Sequence, residues 1–454
     1  LAQIHDTTMR LLEEVGVAMP QDEAVATFNH HGFKVDSGRV FITETQVFEA
    51  LKVAPEVFIL DARNAARSVT IGGDSSVFAP AYGAPFLVDS GRAVRMPTLD
   101  DYRDIVRIVH ELPNMDVMGY LMVQPDMPVA HLHMVHAALT HSDKPIIGSA
   151  AGAEGAAQTL DMARIAFGGD LADRRVAISI VSSLCPLGYA PDMLDVLLTY
   201  AKAGQPMVIA SVGMAGTTAP ITLAGLLAQQ SAEVLAGITL AQLVHPGVPV
   251  VFGSTGSSTD MRTGSLSIGS PELSMIIAAH AQLARYYRLP SRAGGSLTDA
   301  SFPDAQSGFE SMMSLKTTVD SGVSFVLHAG GALSSWMAFS YEKLVLDDEM
   351  CSMVRRLTRG IEVTPDTLAL DVIKSASRSG DYLRERHTLK RSHTEFWRPA
   401  LCERSGLAAW EAGGGTMAVD RAQARWQALL ETHVDPDMDA NVRRALDDYV
   451  AART

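Results

Sequence analysis

The chain has 454 residues, of which 47% are hydrophobic and 19% charged, so it is long and apolar enough to fold around a large core. Its 37 basic and 51 acidic residues give a formal net charge of −14, which opposes binding to nucleic acid or to anionic lipid. Cys185, Cys351 and Cys402 are too scattered for a disulfide framework, which favours a reducing, cytoplasmic location.

The first fifty residues show hydrophobic positions at helical spacing, for example Leu11, Leu12 and Val15. This pattern predicts an N-terminal helical cap and lead-in over residues 1–75. The first residues lack the basic and apolar regions of an export signal, so none is expected.

Eight short β-type runs follow, with helical stretches between them. The runs cover residues 77–79, 115–123, 145–149, 176–182, 207–212, 250–253, 291–294 and 324–328. The helices are predicted at 99–112, 130–141, 155–167, 191–203, 219–244, 271–287 and 304–321. Because this alternation is the repeat of a closed parallel barrel, the fold class is predicted to be α/β, with a (β/α)8 TIM barrel over residues 76–345.

The chain also contains a long uncharged run and a helical C-terminal region. Residues 203–232 carry no charge, but glycines, Pro220 and two glutamines interrupt the run, and 206–212 is typical of a buried strand, so no membrane span is expected. Residues 346–454 contain helical segments at 365–374 and 421–430 around a charged stretch, which predicts a C-terminal helical extension.

Reactive groups of a barrel lie on the loops that follow its strands. Candidates there share a polar or aromatic side chain: Tyr82, Phe86, Gln124, Cys185, Asp260, Arg262, the segment 292–299, His328, Trp336, Phe339 and Tyr341. Aromatic walls with few formal charges suit a quaternary ammonium ligand through cation–π interaction. The same aromatic residues can instead pack the barrel mouth and the last helix as ordinary core.

The sequence gives less support for a metal site, a cysteine nucleophile or a phosphate site. The histidines of HLHMVHAALTH lack the i, i+4 spacing of a zinc pair, and no metal site is predicted. Cys185 can be a nucleophile or an inert buried thiol. Gly294-Gly295 and Gly330-Gly331 follow the last two strands, where barrels often hold phosphate, which leaves a phosphate-binding lyase as an alternative.

Several long motifs resemble the trimethylamine methyltransferase family. They are GGSLTDASFPDAQSGFES, FAPAYGAPFLVDSGRAVRMPTLDDYRDIVRIVHELPNMD, FGSTGSSTDMRTGSLSIGSPE, SYEKLVLDDEMC and the tail YLRERHTLKRSHTEFWRPALCERSGLAAW. The resemblance implies a (β/α)8 barrel that moves a methyl group from an amine to the cob(I)alamin of a separate corrinoid protein, without a tightly bound cofactor of its own. It also implies a homo-oligomer.

One departure from the family pattern concerns the substrate. The archaeal trimethylamine enzymes carry pyrrolysine near the loop 294–296, whereas this chain has ordinary residues there. The chain is therefore similar to the members that use quaternary amines such as glycine betaine. Carnitine, proline betaine and trimethylamine remain alternative substrates, a barrel that binds a betaine without turnover remains an alternative function, and a zinc-dependent methyl transfer would need a ligand cluster that the sequence lacks.

The resemblance and the loop positions together suggest an aromatic box. Tyr82, Trp336 and Phe339 are predicted to enclose the methylated nitrogen, with Phe86 as a further wall. The nitrogen of a quaternary amine is already positively charged, so a neutral amine is released when the methyl group is transferred. Pyrrolysine is therefore not required to activate the substrate.

The remaining roles concern the substrate carboxylate and the methyl acceptor. His328 and Arg292 are predicted to hold the carboxylate. His328 and Asp299 are the predicted catalytic residues, and Gln306 is predicted to help bind the substrate. A second set is predicted to face the corrinoid: Gly294, Gly295 and Ser296.

Overall fold

The computed structural model describes residues 1–119 and 125–454. Its centre is a parallel sheet of seven strands, in which the last six pair in chain order and the first pairs with the last. The strands are Val77–Phe78, Ile146–Ile147, Ala177–Ser182, Met207–Ser211, Val250–Ser254, Ser291–Gly294 and Phe325–Leu327.

Residues 116–118 close this sheet into a barrel. The backbone N–H groups of Asp116 and Val117 donate to the Phe78 carbonyl at 2.8 and 3.3 Å, and Met118 forms a parallel bridge to Ile146. This segment stands where the second predicted strand begins, so the order of eight strands is that of a (β/α)8 barrel and the predicted fold class is confirmed. The rest of that predicted strand and Gln124 lie outside the described residues. We number the barrel strands one to eight in chain order, with 116–118 as strand two.

A helix follows each barrel strand and covers its outer face. The helices are Leu99–Glu111, Ala130–His141, Gly152–Phe167, Pro191–Lys202, Leu223–Val244, Pro271–Tyr286, Ala305–Asp320 and Tyr341–Arg359. Local sequence explains where several begin: the Thr98 hydroxyl accepts from the Asp101 N–H, Pro271 occupies the first turn after the Ser270 cap, and Asp304 caps the seventh helix.

One helix in the described part of the chain, Leu223–Val244, is long and apolar enough to cross a membrane. Its apolar window is 83% buried within the fold, because it packs against Ala2–Arg10, Glu44–Leu51 and barrel strand five. Its hydrophobicity is therefore that of a core helix enclosed on all sides.

Segments before and after the barrel cover its outside. The first part contains α-helices at Ala2–Arg10, Asp22–His30 and Glu44–Leu51, a π-helical turn at Leu11–Val15, a 3-10 turn at Ala65–Arg67, and strands at Val17–Ala18, Lys34–Asp36, Arg39–Phe41, Val57–Leu60 and Val69–Gly72. The last part contains helices at Pro365–Leu368, Leu370–Ser379, Arg386–Arg391, Leu407–Ala412, Ala418–Thr432 and Ala440–Ala451. The helical periodicity did not predict the small antiparallel sheets of the first part.

Two accessory sheets stand at the C-terminal end of the barrel. The first contains Met214–Ala215, Ser257–Thr259 and Leu266–Ser267, from the loops after strands five and six. The second contains Ala332–Leu333, Ala338–Phe339, Phe86–Val88 and Val94–Arg95, from the loops after strands eight and one. The candidate site lies where these loops leave the barrel.

Candidate functional site

A small cavity of about 10 Å³ lies at the C-terminal end of barrel strands six to eight. Its lining comprises Ser254, Thr255, Gly256, Leu273, Ile277, Arg292, Gly294, Leu297, His328 and Trp336. Such a space accommodates about one water molecule, so most polar atoms that face it must find partners among themselves or in a ligand.

Arg292 brings a positive charge into this cavity. It lies on strand seven beside Gly253 of strand six, and only 1% of it is exposed. One guanidinium nitrogen donates to the Ser254 carbonyl at 2.5 Å, but Nε has no partner, and no carboxylate of the described chain lies within 4.0 Å. Burial lowers the pKa of Arg292 to about 9, with Tyr82 opposing that shift, so the side chain is a protonated and unpaired cation at neutral pH.

His328 stands beside it at the end of strand eight, in a left-handed conformation with φ +57°. Its Nδ1 lies 3.3 Å from the backbone N–H of Tyr82 and accepts a hydrogen bond from it. Burial, reinforced by the Arg292 charge, holds the pKa of His328 well below its usual range. The imidazole is therefore neutral, and its remaining proton is on Nε2, which is free to donate.

Trp336 covers the cavity from the loop after strand eight. Ser334, Ser335 and Trp336 all have positive φ angles, of 48°, 53° and 70°, which is costly for residues with a Cβ. The indole ring lies 5.8 Å from the His328 ring, and its buried Nε1 has no hydrogen-bond partner. The strained loop therefore directs a second unpaired donor to the same region.

Polar contacts from the neighbouring loop hold this conformation. The Ser335 hydroxyl donates to Asp299 Oδ1 at 2.6 Å, and the Asp299 carboxylate also accepts from the Ile268 and Gly269 N–H groups at 2.9 and 3.0 Å. Glu310 accepts in turn from the Thr298 hydroxyl at 2.6 Å and the Asp299 N–H at 2.9 Å. Asp299 thus ties the Trp336 loop to the first accessory sheet and is a positioning residue in this structure.

Two residues that line the cavity carry buried polar atoms without hydrogen-bond partners, Arg292 Nε and Trp336 Nε1. Gln230 Oε1, on a side chain that contacts the lining, is a third such atom. Gln230 approaches the cavity at Gly256, where an added Cβ would lie 1.6 Å from Gln230 Nε2. Because native proteins rarely leave such atoms unsatisfied, their concentration here marks a place where a polar ligand or ordered water completes the structure.

The predicted site residues divide into two groups. Arg292, His328 and Trp336 line one cavity, and Tyr82 joins them through its hydrogen bond to His328. Tyr82 is half-buried, and burial raises its pKa, with Arg292 opposing, so its phenol stays neutral.

Other predicted residues are not brought to this cavity. Phe339 is fully buried beneath Gly331, Phe86 is partly exposed on the second accessory sheet, and Gln306 lies on the surface and donates to Glu310 at 3.0 Å. Their predicted contacts with substrate stay predictions.

Gly294, Gly295 and Ser296 continue strand seven under the cavity. The N–H groups of Gly295 and Ser296 donate to the carbonyls of Leu327 and His328, and the Ser296 hydroxyl donates to the Ala329 carbonyl. An added Cβ on Gly295 would lie 2.7 Å from the Ala329 Cα, which explains the glycine by close packing. With their N–H groups occupied in this way, these residues present no cradle for phosphate, and their predicted contact with the corrinoid stays a prediction.

Glu233 is a buried carboxylate that the sequence analysis did not single out. It accepts hydrogen bonds from Ser183, Cys185, Ser211, Gln229 and the Leu187 N–H, at 2.5 to 3.0 Å. The sequence carries a signal for it, because Glu233 is the one charged residue of the helix Leu223–Val244. The cluster fixes the loop after strand four to the end of strand five.

The same cluster decides the state of Cys185. Burial, followed by the nearby Glu233 carboxylate, raises the pKa of the Cys185 thiol to about 11. The thiol is therefore protonated and acts as a hydrogen-bond donor, which is unlike an activated nucleophile. Among residues 1–119 and 125–454, no group of three or more His, Cys, Asp or Glu side chains is placed to bind a metal ion.

The barrel and its cavity define a class of protein: a (β/α)8 barrel whose cavity, at the C-terminal end of the strands, contains a buried cation and further unpaired donors. Residues 1–454 match the family model described as trimethylamine methyltransferase (MTTB). The chain belongs to that family, as its motifs indicated.

Curated relatives extend over almost the whole chain. The glycine betaine methyltransferase of Desulfitobacterium hafniense strain Y51 is 44% identical over 456 residues, covering 99% of this chain and 95% of the relative. The proline betaine:corrinoid methyltransferase of Eubacterium limosum is 34% identical and covers 88% and 85%, respectively. The trimethylamine methyltransferase MttB of Desulfitobacterium hafniense strain DSM 10664 / DCB-2 is 30% identical and covers 100% and 94%.

Proposed function

We propose that the protein demethylates a quaternary amine that carries a carboxylate, with glycine betaine as the substrate, and transfers the methyl group to the corrinoid of a partner protein. The observation that carries this proposal is the buried, unpaired Arg292 with its free Nε at the cavity. An isolated buried charge is strongly unfavourable unless it is paired, so a ligand carboxylate is its natural counterion. Trimethylamine has no such group.

Three donors converge on the expected position of that carboxylate. Arg292 supplies a charged N–H, and Trp336 Nε1 and His328 Nε2 supply neutral ones. Hydrogen bonds from a charged donor to a carboxylate are stronger than neutral ones, so Arg292 dominates binding and the other two fix orientation. The names of the two betaine-specific relatives support the same substrate class.

The quaternary ammonium end needs a different environment. It has no N–H to satisfy, and the faces of Tyr82 and Trp336 can stabilise it by cation–π attraction. In the reaction the methyl C–N bond breaks, its electron pair stays on nitrogen, and a neutral dimethylamino group leaves without needing a proton. The partner's corrinoid supplies the electron pair that accepts the methyl group. This chain holds the substrate in line and excludes water.

The cavity of about 10 Å³ is smaller than any betaine, so binding must widen it. Trp336 is the lining residue with the most strained backbone, and its displacement would enlarge the space toward the mouth. Substrate binding is therefore expected to change the indole environment.

Further properties belong to the same proposal. A corrinoid protein is the expected partner, a homo-oligomer the expected assembly, and the cytoplasm the expected location. The division into residues 1–75, 76–345 and 346–454 is likewise proposed as the domain organisation.

Calorimetric titration tests the substrate class. The matched ligands are glycine betaine and tetramethylammonium, which share a quaternary nitrogen but differ in the carboxylate, together with proline betaine, carnitine, trimethylamine and a sugar phosphate. Selective binding of a betaine, followed by methylation of cob(I)alamin with that compound, is the expected result. Equal affinity for tetramethylammonium, or a response to the sugar phosphate alone, would contradict the proposal. Betaine binding without methyl loss in the presence of cob(I)alamin would identify a non-catalytic binding protein.

A further inference from the structure

A pocket of about 460 Å³ lies on the outside of the barrel, where the helix Tyr341–Arg359 ends. The last two turns of that helix form one wall, and the segment 393–398 forms the other. The lining comprises Ser352, Arg355, Arg356, Arg359, His393, Thr394, Phe396, Trp397 and Arg398. We call it the arginine pocket, because it contains four arginines and no acidic residue in a chain whose formal charge is −14.

The arginine pocket is separate from the candidate site. Its Arg355 donates to the Asp116 carboxylate at 2.6 Å, and Asp116 stands at the start of strand two. The candidate site lies at the opposite, C-terminal end of the strands, and the two linings have no residue in common. A ligand of the arginine pocket is therefore not the substrate held by the barrel.

Three of its arginines have no carboxylate partner. Each donates to backbone carbonyls instead: Arg356 at 2.9 and 3.2 Å, Arg359 at 3.2 Å and Arg398 at 3.3 Å. The accepting carbonyls are those of Gly360, Glu395, Thr394 and Ser392. Within residues 1–119 and 125–454, no Asp or Glu oxygen lies within 4.0 Å of these three guanidiniums, whereas Arg355 is paired with Asp116.

These carbonyls hold the guanidiniums in place without neutralising them. A guanidinium has five N–H donors, so each of the three keeps donors for a ligand. The C-terminus of the helix Tyr341–Arg359 contributes only about half a negative charge, which three guanidiniums outweigh. The arginine pocket is therefore a preformed, uncompensated positive site on an acidic protein.

Two aromatic side chains complete the walls. The Trp397 indole N–H donates to the Ser352 hydroxyl at 2.8 Å, and the Arg404 guanidinium lies 5.1 Å from the Trp397 ring centroid. These contacts fix the ring in the wall. Phe396, in contrast, is 74% exposed, which leaves a free aromatic surface beside the guanidiniums. Such a surface can stack on a planar base.

We propose that the arginine pocket binds a small molecule that carries a diphosphate, either a nucleoside diphosphate or free pyrophosphate. One phosphoryl group carries about −1.5 to −2 charges at neutral pH, so a diphosphate comes closest to balancing three guanidiniums. Arginine also matches phosphate oxygens through paired hydrogen bonds. The concave shape and the volume are those of a small-molecule site, which favours such a ligand over an acidic face of a second copy.

Calorimetric titration of the full chain tests the pocket with four probes: ADP, pyrophosphate, adenosine and malonate. ADP and pyrophosphate share the diphosphate, adenosine has only the base and ribose, and malonate is a dianion without phosphorus. The buffer contains about 0.15 M salt, which screens exposed charges that are more than about 8 Å apart.

The pocket variant is Arg359→Gln with Arg398→Gln. The matched control, Arg10→Gln with Arg164→Gln, changes the net charge equally at two exposed arginines outside the pocket. Thermal unfolding establishes that each variant is folded. If the double pocket variant does not fold, the single variants take its place, each with an expected loss of affinity of about threefold.

We expect both diphosphate probes to bind at one site per chain in the unmodified protein and in the control. In the pocket variant their affinity should fall by about tenfold or more. Tighter binding of ADP than of pyrophosphate would identify a nucleoside diphosphate as the ligand, and Phe396→Ala should then bring the two affinities together. Equal binding would identify free pyrophosphate.

Three results would overturn the proposal: no binding of either diphosphate probe, an equal loss of affinity in the control, or adenosine or malonate binding as tightly as the diphosphate probes. A change of oligomeric state in the pocket variant, measured by sedimentation, would assign the pocket to a second copy of the chain and would also overturn it.

Discussion

Replacing Arg292 by methionine is expected to stabilise the ligand-free protein and to remove betaine binding. The pKa of the guanidinium falls from 12.5 to about 9 on burial, and at about 1.4 kcal/mol per pH unit its charge costs on the order of 5 kcal/mol in the free protein. Methionine fills a similar volume without that charge. Losing the hydrogen bond to the Ser254 carbonyl offsets part of the gain, since an unsatisfied buried carbonyl costs about 1–3 kcal/mol.

The net gain in the free energy of unfolding is therefore expected to be about 2–4 kcal/mol, within the range found when buried charges are replaced by apolar groups. Urea denaturation of both proteins without ligand measures it. Glycine betaine affinity is expected to fall by about 3 kcal/mol or more, over a hundredfold, because a buried charged partner is lost. Tetramethylammonium serves as the control ligand, and its binding should change little.

The reasoning would be refuted by the opposite pattern. If Arg292→Met unfolds several kcal/mol more easily and still binds glycine betaine with the original affinity, Arg292 is a structural residue with an unrecognised partner. If the variant is stabilised but tetramethylammonium binding falls equally, the guanidinium does not act through the carboxylate.

Three further substitutions concern buried ionisable groups outside the residues that line the cavity. Burial lowers the pKa of His280 to about 3, so below pH 6.5 the unfolded chain takes up a proton that the folded chain does not. His280→Gln should therefore make the loss of stability between pH 6 and 4 shallower by about 1.4 kcal/mol per pH unit. An unchanged slope in urea melts would contradict this. Glu233→Gln should lower the free energy of unfolding by about 2–4 kcal/mol, because two fixed N–H donors lose a charged acceptor. The control Glu14→Gln, at an exposed position, should change stability by under about 0.5 kcal/mol in the same melts. Lys343→Met should cost about 3–5 kcal/mol by leaving the buried Asp347 carboxylate unpaired, and adding Asp347→Asn should recover most of it; a double variant as unstable as the single one would disprove the pairing argument.

The strand and helix pattern of the barrel could be predicted because its elements are long and periodic. The helix Ala130–His141 and the strand Ser291–Gly294 have the predicted ends, and the other six predicted helices differ by a few residues at their termini, whereas no bounds were predicted for Tyr341–Arg359. The accessory sheets could not be predicted, since strands of two or three residues carry no measurable alternation. They form because loops from neighbouring strands meet at the barrel mouth, which is tertiary information.

The candidate site likewise contains positions that could be predicted from the sequence and positions that could not. Arg292 lies within the strand Ser291–Gly294 and His328 directly follows the strand Phe325–Leu327, and both positions follow from the strand pattern alone. Phe339 was predicted to face the substrate from its loop position and from the family resemblance. In the structure the backbone at 334–336 is left-handed and the chain then enters the strand Ala338–Phe339, which places the phenyl ring under Gly331, so its contact with substrate stays a prediction. The direction of such a side chain depends on the strand with which its segment pairs, and not on its spacing along the sequence.

Gly253 is packed closely against strand five at the level of Arg292. It pairs with Arg292 on the adjacent strand, and an added Cβ would lie 2.7 Å from Val208 Cγ1 and 2.8 Å from the Ile209 carbonyl oxygen. Every side chain at position 253 therefore competes for space with the barrel wall at the level of the guanidinium. Under the proposed role of Arg292, arginine on strand seven together with glycine on strand six is a pair of positions to compare in related enzymes, and it is a more selective criterion than either residue alone.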